Sequence, residues 1–84
     1  MIYYLIICRS LTYAQRTAHV LERAGISGYV TRAPKLISKE GCGYCVRIAE
    51  RRLTDALQVL QREGMAPKQV FLQDANGMFS EVQP

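Results

Sequence analysis

The chain holds little that would anchor it in a membrane, stitch it with disulfides or close a metal site. Its longest unbroken apolar run, Ile2 to Cys8, is far short of the ~20 residues that a bilayer-spanning helix needs. The same stretch lacks the charged leader and small-residue cleavage site of a secretory signal. It reads as a buried strand of the mature protein, with no membrane partner, and the expected compartment is the cytoplasm. Three cysteines are an odd number, whereas small extracellular domains held by disulfides carry four or six at framework spacings. The thiols are expected to be reduced.

Metal ligands are scarce too. Structural zinc wants four soft ligands, and Cys8, Cys42, Cys45 and the single histidine, His19, are all there is. His19 falls two turns into an expected helix, ~10 Å along its axis, so these four do not form a closed set. Two or three thiolates alone would suit only a soft monovalent ion. The reading therefore includes no metal and no cofactor. No internal repeat or low-complexity segment interrupts the chain.

What is present fits one small globular domain. Eighty-four residues, 49% hydrophobic and 21% charged, exclude the disordered class, which pairs low hydrophobicity with high net charge. A chain of this size buries only roughly 60% of its unfolded surface. The net charge of +4 permits an anionic partner without requiring one.

Ile2–Cys8 is β-branched and aromatic on both alternation faces, as a central strand should be. Thr12 and Gln15 stand at capping-box spacing, so a helix is expected to start at Thr12. Ala14, Ala18, Leu21 and Ala24 form its apolar stripe, and Gly25 supplies its left-handed end. Tyr29–Arg32 reads as a strand ended by Ala33-Pro34, and 35–43 as a polar loop. Tyr44–Ala49 reads as a third strand. Leu53, Ala56, Leu57 and Leu60 mark a second helix closed by Gly64 and Pro67, and Gln69–Gln73 a fourth strand. The Asp74–Gly77 turn signal leaves two outcomes for Met78 and Phe79: an extra short strand folding back, or a frayed end.

The order β-α-β-β-α-β predicts an α+β, ferredoxin-like split βαββαβ sandwich. Its antiparallel sheet would run 4-1-3-2, with two helices on one face. A single domain over 1–73 and a C-terminal turn and tail over 74–84 follow. This topology sets the end of strand 1 (Cys8, Arg9, Ser10) beside the start of strand 3 (Cys42 to Cys45), with the Thr12 helix beginning at the same edge.

That edge is where chemistry is expected. Cys42 lies between Gly41 and Gly43, whose freedom lets successive amides turn toward one point and leaves the side chain between them accessible. A thiolate near a helix amino end is favoured by the partial positive charge there, and Arg9, Arg32, Lys35 and Lys39 can add to it. A lowered Cys42 pKa is the expected consequence. Cys45, at C-x-x-C spacing, and Cys8 are candidate second thiols, and each reads equally well as a small buried hydrophobe. No recurring acid, base and nucleophile set stands beside the cysteines, which favours a carrier or binding protein over a turnover enzyme.

Pro34-Lys35-Leu36-Ile37-Ser38 leading into Gly41-Cys42-Gly43-Tyr44 resembles the family described as "Putative Se/S carrier protein-like". The resemblance extends in outline over an opening apolar strand, a helix, a Gly-Ile turn, and Cys-Gly before a strand. It implies a ferredoxin-like domain in which Cys42 carries sulfur or selenium as a persulfide or selenosulfide between donor and acceptor proteins. Cys45 is not part of the shared pattern. Two other readings stand beside it. One is a non-catalytic regulatory or assembly module, a homodimer formed through the open sheet face, since strand 1 is apolar on both sides. The other is RNA binding, because RNA-recognition domains share this topology. Gly41 to Ile48 matches their strand signature poorly, lacking its first and last aromatics, so nucleic acid is not the expected partner.

Overall fold

The computed structural model describes residues 1–37 and 43–83. The elements in chain order are β1 (Tyr3–Cys8), α1 (Leu11–Arg23), β2 (Tyr29–Arg32), β3 (Tyr44–Ala49), a 3-10 turn (Glu50–Arg52), α2 (Leu53–Arg62), β4 (Val70–Gln73) and β5 (Phe79–Val82). They form one antiparallel five-stranded sheet and two helices, an α+β fold.

The sheet order is β2-β3-β1-β4-β5, which corrects the four-strand 4-1-3-2 expectation. The neighbours of strands 1 to 4 are those expected, but a fifth strand extends the β4 edge. Its cause is local. The Asp74 carboxylate accepts from the amides of Asn76 and Met78, each at 2.9 Å, an Asx turn that reverses the chain. Phe79–Val82 then runs back along β4, from Gln73↔Phe79 to Val70↔Val82. The strand begins at Phe79 rather than Met78, and lies in the stretch expected to be turn and tail.

The start of α1 also differs from expectation. Ser10, not Thr12, is the cap: its backbone is extended, and its hydroxyl accepts from the Tyr13 amide at 3.1 Å. Thr12 already lies in the first helical turn, so it cannot occupy the extended cap position that satisfies an orphan amide. Both helices end the same way. Gly25 and Gly64 adopt φ of +83° and +71°. The Gly25 amide bonds Glu22 O and the Ile26 amide bonds Leu21 O, while Gly64 and Met65 repeat this onto Gln61 O and Leu60 O. Each is a Schellman ending, whose hydrophobic residue after the glycine, Ile26 or Met65, drops into the same core as Leu21 or Leu60.

Alternation divides the sheet into two faces. Ile6, Cys8, Val46, Ile48 and Val70 meet Ala14 and Leu21 of α1 and Ala56 and Leu60 of α2, so both helices cover one face. On the other, Leu5 and Cys45 are buried with Ile37, and Ile7, Ala33, Phe71 and Phe79 pack around them. The second face is therefore partly roofed by the turn after β2, where the Ile37 amide bonds Pro34 O at 3.0 Å.

Gly28 marks the tightest approach of the α1–β2 connection to the sheet. A Cβ there would stand 2.7 Å from Val46 Cγ1, itself fully buried. Gly28→Ala is expected to lower stability by about 1–3 kcal/mol through overpacking, measured by urea unfolding. Adding Val46→Ala should recover part of that loss; a single variant as stable as the parent would mean the space is not filled.

Candidate functional site

The ends of β1 and β3 and the start of α1 meet at one end of the sheet. Cys8 stands opposite Tyr44, Ile7 opposite Cys45, and Arg32 opposite Tyr44 from β2. The Ala33 amide bonds Gly43 O at 3.0 Å, carrying the β2–β3 pairing one step past Arg32. Arg9, Ser10, Thr12, Arg32 and Gly43 are thus gathered here, and Lys35 follows in the exposed turn. Gly41, Cys42 and Lys39 lie outside the described residues.

Electrostatics at this end favour negative charge. The first turn of α1 carries no acidic side chain, so no carboxylate offsets its partial positive charge. Arg9, Arg32 and Lys35 are exposed. Among the described residues none of the three is in an ion pair, the one such pair being Arg52–Asp55 at 3.6 Å. Arg32 lies over the Tyr44 ring at 5.7 Å, a cation–π contact on the helix side of the sheet.

The two described thiols are buried and project to opposite faces. Cys8 points toward α1, its Sγ 3.7 Å from Ile6 O and 4.0 Å from Thr17 Oγ1. Burial raises its pKa, and the Thr17 hydroxyl offsets part of that rise. Cys45 points away from the helices and is closed over beside Ile37. Burial, with a smaller push from the Cys8 charge and against a pull from Arg47, raises its pKa from 9.0 to about 11. Cys45 pairs with Ile7, one residue out of step with Cys8, so the two Cβ vectors diverge and cannot satisfy disulfide geometry. Both thiols are free, and burial disfavours the thiolate form of each.

Sequence reasoning missed a second constellation. Tyr3, Arg47 and Tyr29 come from three neighbouring strands and meet on the face opposite the helices, with the Arg47 guanidinium 4.5 Å from one ring centroid and 5.3 Å from the other. Period-2 alternation within each strand puts each residue on a face, but only the register between strands brings the three together. Tyr44, the one aromatic of the Gly41–Ile48 strand segment, lies on the other side, packed against the helix-covered core.

The family model described as "Putative Se/S carrier protein-like" matches residues 3–72. The chain belongs to this family. The match runs from β1 into β4, and all three cysteines fall within its range. Comparison with curated proteins and with solved structures finds no match. Among the described residues no helix is long and apolar enough to cross a membrane.

Two outcomes follow from the thiol geometry. In a Cys42→Ser variant, Cys8 and Cys45 should resist iodoacetamide at pH 8 in native buffer and label at ordinary rates in urea, read by intact mass; rapid native labelling would contradict their burial. The raised Cys45 pKa also makes stability pH-dependent. The folded state keeps its proton longer than the unfolded chain, so this contribution is complete below about pH 9 and is lost as pH climbs toward about 11. Unfolding free energy should fall across that window, and Cys45→Ala should flatten the fall; identical slopes for the two proteins would rule Cys45 out as its source.

Proposed function

We propose that the protein carries sulfur or selenium on Cys42 and exchanges it with donor and acceptor proteins in the cytoplasm. The observation that carries this reading is the burial of Cys8 and Cys45 on opposite sheet faces. In a three-cysteine member of a carrier-like family, that leaves Cys42 as the thiol for transfer. Gly43, its neighbour in the chain, sits at the end of the sheet where the Ser10-capped helix starts and where Arg9, Arg32 and Lys35 are unpaired among the described residues. These groups favour a thiolate over a thiol.

The transfer balances without an external oxidant. The Cys42 thiolate attacks the outer sulfur of a donor persulfide, an S–S bond forms as the donor's S–S bond breaks, and the donor leaves as its thiolate. The product, a Cys42 persulfide, then passes its outer sulfur to an acceptor thiolate by the same exchange, restoring the Cys42 thiolate. Selenium follows the same steps as a selenosulfide. The scaffold beneath is a ferredoxin-like βαββαβ unit with β5 appended, and the domain carries cargo rather than turning over substrate.

The test combines titration with loading. The alkylation rate of Cys42, followed against pH in a Cys8→Ala/Cys45→Ala background, should report a pKa clearly below the ordinary thiol value near 8.5. Incubation with a low-molecular-weight persulfide should add one sulfur atom to the intact mass, and Cys42→Ser should abolish the addition. An ordinary pKa, or sulfur uptake that survives Cys42→Ser, overturns the reading.

A further inference from the structure

The sheet face opposite the helices is half roofed. Around Ile37, Leu5 and Cys45 are buried. Away from that turn the face presents Tyr29 on β2, Arg47 on β3, and Tyr3 and Gln73 on β1 and β4. Tyr29 is 68% exposed, and Arg47 and Tyr3 are partly so. Tyr29 stands directly opposite Arg47, Tyr3 lies on the diagonal, and Gln73 is directly opposite Tyr3. The guanidinium lies between two rings, 4.5 Å from one and 5.3 Å from the other.

Arg47 has no carboxylate partner among the described residues. Its Nε is buried with no hydrogen-bond partner there. By alternation the one strand carboxylate on this face among the described residues is Glu81, on β5 at the far edge, opposite Phe71. It is three strands from β3, about 14 Å at the usual strand spacing. An arginine with no ion-pair partner among the described residues and an unsatisfied Nε, within reach of two aromatic rings in a chain of charge +4, is complementary to a ligand that brings both π surfaces and negative charge.

We propose that this face binds single-stranded nucleic acid, with bases stacking on Tyr29 and Tyr3 and the backbone phosphates drawn to Arg47. Aromatic rings accept any base face, and unstacked single strands are the form that can use them. Gln73 adds an amide able to pair with a base edge. The aromatics of this surface, Tyr29 and Tyr3, lie on β2 and β1 outside the Gly41–Ile48 segment, whose one aromatic, Tyr44, faces the helices. A second copy of the chain is a worse occupant: an isologous pairing would bury both Arg47 guanidinium groups, and among the described residues only Glu81, at the far β5 edge, could be brought across to meet them. The proposal does not involve Cys42, so it stands or falls apart from sulfur transfer.

The test is fluorescence anisotropy of a labelled ten-nucleotide single-stranded RNA, titrated with reduced full-length protein at low salt and again at raised salt. Binding should weaken with salt. Tyr29→Ala and Arg47→Gln should each weaken it about tenfold, the scale of one lost base stack, while Tyr29→Phe keeps the affinity. Arg23→Gln and Arg62→Gln, which remove one charge each on the helix side of the molecule, should change it far less. No binding by the parent protein overturns the proposal, as does equal weakening by all the arginine variants, which would mean net charge alone. A dimer that buries this face in size-exclusion light scattering and excludes the RNA overturns it as well.

Discussion

Everything in this molecule depends on β1 being paired along both edges. Tyr3 to Cys8 is matched residue by residue to β3, and Tyr3 to Ile6 to β4. With its backbone used on both sides, β1 can only be placed one way, and a slip of one residue would exchange its faces. Ile6 and Cys8 would then leave the helices and Leu5 and Ile7 would replace them. The same register decides that Cys8 and Cys45 diverge and that Arg47 reaches both tyrosines.

Much of this order could be read in the sequence, and what could not was long-range. β2 and β3 are bounded as read, because aromatic and β-branched runs are stopped by Ala33-Pro34 and by the Glu50–Arg52 turn. The helix ends were legible because a glycine followed by an apolar residue has a local mechanism. The start of α1 reads two residues late, at Thr12, because the capping-box spacing to Gln15 outweighs Ser10, whose extended backbone makes it the cap. The fifth strand was undecided because Phe79-Ser-Glu-Val offers weak alternation, and its pairing is enforced by the Asx turn before it.

At the site, the meeting of β1, β3 and the α1 start followed from topology alone. The roofing of the second face did not. Leu36 and Ile37 are equally apolar neighbours, yet Leu36 is 84% exposed and Ile37 is buried. Which of two adjacent apolar residues turns inward is decided by the Pro34–Ile37 turn docking on Leu5 and Cys45, a tertiary event with no local signature. The buried state of Cys45 comes from that docking as much as from its own strand.

The position of β1 in the chain also governs how the protein is made. The strand at the centre of the sheet leaves the ribosome well before its partners: β3 begins at Tyr44 and β4 at Val70. Until β3 emerges, Ile2 to Cys8 has no strand partner on either edge. An apolar, β-prone segment in that state is the part of a nascent chain most open to wrong pairing. Native assembly must close two long loops before that strand is satisfied, so folding is set by non-local contacts rather than by helix formation.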